Sequence, residues 1–93
     1  MKGKVVLSKR AMKELKKVPV HIAVKLKSWV ELIEVSGLAV ARKIPGYHDE
    51  PLKGERTGQR SIRLSRSYRA IYTIEEVTRI EMIIVEEVSK HDY

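Results

Sequence analysis

The chain has no cysteine. That removes disulfides, thiol catalysis and cysteine-based zinc sites, and it fits a reducing compartment. No apolar run approaches the roughly 20 residues that a membrane-crossing helix needs. The opening Met1-Lys2-Gly3-Lys4-Val5-Val6-Leu7 has too short an apolar stretch for a secretory signal. No internal repeat or low-complexity segment is present. What remains is 93 residues, 43% hydrophobic and 33% charged, which predicts one globular domain over 1–93 and argues against general disorder. A chain this short has a modest core, so packing alone must stabilise it.

Acidic groups are scarce over most of the length. Residues 1–74 carry seventeen Lys and Arg against six Asp and Glu, +11, whereas residues 75–93 carry two against six, −4. The net +7 and a pI near 9.8 favour a polyanionic partner: nucleic acid, an anionic membrane surface or an acidic protein. Between Lys53 and Arg69 stand Lys53, Arg56, Arg60, Arg63, Arg66 and Arg69 with only Glu55 opposed. A basic run is most often a solvated face. The density of arginine here points to phosphate, because the guanidinium fork fits phosphate oxygens.

The pattern predicts a short strand at Lys4–Leu7. Ser8 then caps a basic helix over Lys9–Lys17 with Ala11, Met12 and Leu15 on its apolar side. Val18-Pro19 breaks it, and Pro19 opens a second helix to Ser36, in which Ile22, Leu26, Trp29 and Ile33 recur at helical spacing. Gly37 is the expected stop, with one or two helical turns after it over Leu38–Ile44. So short a link predicts an antiparallel helical hairpin. Pro45-Gly46 opens a polar loop, 47–58, and the period then becomes two. Ile62 and Leu64 alternate with Ser61, Arg63 and Ser65. Ala70, Tyr72 and Ile74 alternate with Arg69, Ile71 and Thr73 in a strand over Tyr68–Glu75. Ile80–Val88 is apolar on both alternations, as in a central strand.

The prediction is an α+β fold, β-α-α-β-β-β, with a small antiparallel-rich sheet and an N-terminal helical hairpin packed on one face. Ile62, Leu64, Tyr72 and Ile74 are expected to meet the helices. Arg63 and Arg69 then project from the other face, close together across a tight hairpin, with Lys90, His91, Asp92 and Tyr93 leaving the neighbouring strand nearby.

This order of elements resembles the RelE/ParE toxin superfamily. So do the stretch Pro45-Gly46-Tyr47-His48-Asp49-Glu50-Pro51-Leu52-Lys53-Gly54-Glu55-Arg56, the hairpin Ser61-Ile62-Arg63-Leu64 to Tyr68-Arg69-Ala70-Ile71-Tyr72, and the ending Lys90-His91-Asp92-Tyr93. The nearest resemblance is to the HigB-like branch, the plasmid-maintenance killer proteins. It implies a cytoplasmic bacterial type II toxin that cleaves messenger RNA, usually on the translating ribosome, without metal or cofactor. It also implies an antitoxin partner, of the HigA-like helix-turn-helix kind. ParE-like relatives share the fold and instead inhibit DNA gyrase, so fold alone does not choose between the two.

Metal-free RNA cleavage by 2′-hydroxyl attack on the adjacent phosphate needs a base, an acid and cations around the pentavalent phosphorus. Histidine suits both proton roles near neutral pH. The resemblance makes His91 the first candidate, against the alternative of a frayed terminus. Asp92 orients a histidine or accepts a proton, or is a solvated carboxylate; Tyr93 stacks on a base or serves in proton transfer, or simply packs. His48, upstream of the Pro-Leu-Lys-Gly phrase, is a second candidate histidine or an ordinary loop residue. Arg69 matches the superfamily's Tyr-Arg strand start and is the expected phosphate stabiliser, supported by Arg63. Some RelE-like members carry a further lysine where Ser61 stands, a departure that leans this chain toward histidine chemistry. Lys53, Arg56, Arg60 and Arg66 are expected to hold RNA backbone; Lys53 and Arg56 are equally plausible as loop anchors.

Overall fold

The structure is a computed structural model that describes residues 3–77 and 80–90. In chain order it has β1 (Lys4–Leu7), α1 (Lys9–Leu15), α2 (Val20–Ser36), α3 (Leu38–Ala41), β2 (Glu50–Pro51), β3 (Arg60–Arg63), β4 (Tyr68–Val77) and β5 (Ile80–Lys90). One five-stranded sheet runs β1-β5-β4-β3-β2. The β1–β5 pair is parallel, and the β5–β4, β4–β3 and β3–β2 pairs are antiparallel. This is the expected α+β class. The two-residue β2, hidden in the polar loop, and the place of β1 beside β5 were not visible in local periodicity.

Local chemistry sets the helices. Ser8 Oγ accepts the N–H of Ala11 at 3.0 Å and donates to the carbonyl of Glu86 at 2.8 Å, so one hydroxyl caps α1 and ties it to β5. α1 ends two residues sooner than the pattern predicts, at Leu15. α2 starts after Pro19 and stops at Gly37, whose φ of 89° lies in the left-handed region and whose N–H reaches the carbonyl of Ile33. An L side chain at that position would be strained.

The core lies between the helices and one sheet face. Ala11 from α1 joins Ile22, Leu26, Trp29 and Ile33 from α2, Leu38 and Ala41 from α3, and Ile62, Ala70, Tyr72, Ile83, Val85 and Val88 from the sheet. The Trp29 and Tyr72 rings meet at 5.1 Å between centroids. Fully burying each large side chain contributes about 1.5–3 kcal/mol before chain entropy is subtracted. An apolar cleft lined by Leu7, Leu15, Ala23, Leu26, Lys27 and Val30, about 340 Å³, separates α1 from α2.

Two details depart from the alternation. Ile74 was expected in the core but is 38% exposed: β3 ends its pairing at Tyr72, so β4 from there to Val77 has no strand on that side among the described residues. In β5 the register slips: Ile71 faces Glu87 and Tyr72 faces Val85, leaving Glu86 as an extra residue. That bulge turns Val85 and Val88 both inward, at a spacing no regular strand allows. Among the described residues no helix is long and apolar enough to cross a membrane.

Candidate functional site

The face opposite the helices is built in rows across three strands. Arg63 on β3 lies directly opposite Arg69 on β4, and Arg69 opposite Ser89 on β5. Their chain neighbours Ile62, Ala70 and Val88 are core residues, so the row points away from the helices. Arg63 is exposed and Arg69 half-buried. Arg69 Nε is fully shielded from solvent and has no hydrogen-bond partner among the described residues. Leaving such a donor unmet costs about 1–3 kcal/mol. Arg66 is exposed in the β3–β4 turn, which Ser65 Oγ closes by accepting the N–H groups of Ser67 and Tyr68.

The adjacent row is Ser61, Ile71 and Glu87. All three are buried, at 7%, 0% and 7% exposure, so this part of the outer face is dry. Arg56 covers it, its Nη1 3.1 Å from Glu87 Oε2 and 3.3 Å from Gln59 Oε1. Arg10 Nη2 stands 3.6 Å from Glu87 Oε1, and Ser89 Oγ donates to the same oxygen at 3.2 Å. Burial pushes the Glu87 carboxyl upward. The hydrogen bond and charge of Arg56, with Arg10 and Ser89, outweigh it and hold the group below the usual glutamate value. Sequence reading did not single out Glu87. The Glu86-Glu87 pair inside an apolar strand was a signal, but only the bulge decides which of them faces the arginines.

A second polar cluster forms where the 45–51 loop meets the sheet. The Asp49 side chain is fully buried, accepting from Arg60 Nε at 2.7 Å and from the Tyr72 hydroxyl at 2.5 Å. Burial and the Asp49 carboxylate raise the Tyr72 phenol far above its ordinary value. Burial would lower the Arg60 guanidinium, but Asp49 prevails and raises it. Arg60 and Tyr72 are cross-strand partners, which brings both to Asp49. His48 has a positive φ of 47°, and its Nε2 is 3.9 Å from Glu50 Oε2. It lines a cleft of about 310 Å³ with Arg42, Ile44, Pro45, Asp49 and Glu50. Arg42 also lines a neighbouring cleft with Ala39, Lys43 and Arg60.

The expected residues therefore fall into groups. Arg63 and Arg69 share a row, and Arg56 covers the row beside it. Arg60 points to the core side and is engaged by Asp49. Lys53 is exposed, just before a 3₁₀ turn at Gly54–Arg56. His48 sits at the loop cleft with Glu50. His91, Asp92 and Tyr93 lie outside the described residues. Among the described residues no three His, Asp or Glu side chains gather as metal ligands would.

No family model and no curated protein matches this chain. Solved structures do. A YoeB/ParE toxin from Agrobacterium tumefaciens superposes with a TM-score of 0.71 at 17% identity, over 96% of this chain and 99% of its own. YafQ from E. coli gives 0.72 at 20%, covering 96% and 93%. The archaeal RelE-RelB complex from Pyrococcus horikoshii gives 0.72 at 22%, covering 97% and 96%. At these identities the likeness is one of architecture, and the conclusion it supports is that this chain has the RelE-like toxin fold.

Proposed function

We propose that the chain is the toxin of a toxin–antitoxin pair and acts as a metal-independent endoribonuclease on messenger RNA, at the ribosome, so arresting translation. The observation that carries this reading is the placing of Arg69 directly opposite Arg63 on the face the helices leave uncovered. A phosphodiester placed over this row would meet two guanidinium groups side by side, and the guanidinium fork fits phosphate oxygens. The RelE-like architecture and the +7 charge agree with it.

In the proposed reaction the 2′-hydroxyl oxygen attacks the adjacent phosphorus, a base takes its proton, and the bond to the leaving 5′-oxygen breaks as an acid protonates that oxygen. Arg69 and Arg63 hold the charge that builds on the phosphoryl oxygens. His91, Asp92, Tyr93 and His48 are the proposed proton-handling groups. Lys53 and Arg66 hold flanking backbone, with Arg56 and Arg60 joining where RNA competes with their carboxylate partners. The proposed antitoxin is a HigA-like helix-turn-helix protein, as for the HigB-like branch.

The test is primer extension on cellular transcripts after induction without antitoxin. Discrete new 5′ ends that vanish with Arg69→Ala are expected. DNA damage with intact transcripts would replace this reading with ParE-like inhibition of gyrase.

A further inference from the structure

Asp49 stands between His48 and Glu50 in the chain, and its side chain goes the opposite way from theirs. The carboxylate is fully buried, while the His48 and Glu50 side chains are 59% and 57% exposed. Both oxygens of Asp49 are used, one by Arg60 and one by Tyr72. Tyr72 is itself fully buried and packs on Trp29. The loop is thus fixed to the core at Asp49, in addition to the buried Tyr47 ring before His48 and the Glu50–Pro51 pairing with β3 after it. With Asp49 drawn inward, its two neighbours are turned outward together, which leaves His48 Nε2 3.9 Å from Glu50 Oε2 at the cleft shared with Arg42.

His48 is also the only non-glycine with positive φ among the described residues. A left-handed conformation costs a side-chain-bearing residue of order 1–3 kcal/mol and persists where the surroundings over-determine it. No hydrogen bond from a helix or strand ladder holds His48; its N–H reaches the carbonyl of Pro45 in a single 3₁₀ turn. It stands between two anchored neighbours, the Tyr47 ring in the core and the Asp49 carboxylate, and of the two only Asp49 is held by directional polar contacts to the sheet.

We propose that Asp49 is a positioning residue: its buried contacts with Arg60 and Tyr72 hold His48 in the left-handed conformation and present the imidazole beside Glu50 for proton transfer. The proposal rests on the ribonuclease reading above and adds a residue that does not itself touch RNA. A misplacement of about 1 Å in a reacting group is enough to cost of order 100-fold, so the carboxylate that fixes the residue after His48 is a sensitive place for such control.

The experiment is a kinetic double-mutant cycle on RNA cleavage with His48→Ala, Asp49→Asn and the pair, alongside Tyr72→Phe and Arg69→Ala, with a thermal melt of each. Asp49→Asn is expected to lower kcat by about 10- to 100-fold with KM within about twofold, at a temperature where the melt shows the variant folded. Tyr72→Phe should lower kcat in the same direction by less. In the His48→Ala background Asp49→Asn should do nothing more. Multiplicative losses in the pair, a wild-type kcat for Asp49→Asn, or a loss that follows the unfolded fraction alone would each overturn the proposal. Full activity of His48→Ala with a dead Arg69→Ala would also overturn it while leaving the ribonuclease reading in place. Full activity of every variant, or no cleavage by the unmodified chain, would reject the ribonuclease reading itself.

Discussion

Glu14 Oε1 accepts the backbone N–H of Val88 at 2.9 Å, a side chain standing where a strand would otherwise be. β1 stops at Leu7 opposite Val85, so β5 beyond that point has an open edge, and α1 closes it with Glu14 at one place and Ser8 at another. Sheet edges left bare invite pairing with other chains. Glu14→Ala should therefore lower stability by about 1–3 kcal/mol, the cost of an orphaned buried donor, while Glu14→Gln keeps an acceptor and should cost less. Urea unfolding checks this; equal midpoints for all three proteins would show that Glu14 does not close the edge.

Arg69 predicts a separation of stability from activity. Arg69→Met removes a shielded donor with no partner among the described residues and keeps most of the apolar stem, so the unfolding midpoint should stay level or rise. Cleavage should fall by about 10²–10³-fold, as for loss of one transition-state donor. Melting and single-turnover cleavage on the same preparation test both halves. A strong drop in stability would mean that the guanidinium serves the fold.

The Glu87 carboxyl is held below its ordinary value by Arg56 and Arg10 against the upward push of burial. Its contribution to stability is thus complete above the unfolded glutamate value near 4.5 and is lost as pH falls through the lower folded value. The urea midpoint should decline as pH falls from about 5 toward 3. In Glu87→Gln that part of the decline should flatten, with stability at neutral pH lower by about 1–3 kcal/mol. The same acid slope in both proteins would assign the effect to other carboxylates.

RNA affinity should be strongly salt-dependent. With about four to six phosphate contacts on single-stranded RNA, log K should fall against log salt with a slope of about −3 to −4. Arg63→Ala should reduce the slope by about 0.7 without changing the sequence preference. Filter binding from low to moderate salt measures it, and a flat line would remove phosphate recognition from the account.

Much of the fold was legible because it is local. Ser8, Pro19 and Gly37 mark helix ends by their own chemistry, and the Ile22–Leu26–Trp29–Ile33 stripe announces a buried face. The Arg63–Arg69 opposition followed from period-two alternation across a short turn. What escaped was long-range. The parallel partnership of β1 with β5 joins residues nearly eighty positions apart, and no window of sequence contains it. The Asp49–Arg60–Tyr72 cluster draws on a loop and two strands. Ile74 has the right phase for the core but lies past the end of β3, on an edge of β4 left unpaired among the described residues. Glu87 depends on a one-residue bulge that exchanges which of two glutamates turns toward the arginines.

The position of β5 between β1 and β4 has a consequence for synthesis. The segment made last among the described residues is the one on which both flanking strands depend. While residues 80–90 are still inside the exit tunnel, β1 has no partner, α1 has no edge to close, and the arginine row lacks its Ser89 member. Non-local pairing of this kind also slows folding. A ribosome-bound chain stalled before those residues emerge should be readily cut by protease, and the released chain should not be. The molecule proposed to act on translating ribosomes would thus be harmless to the one that makes it until β5 has emerged.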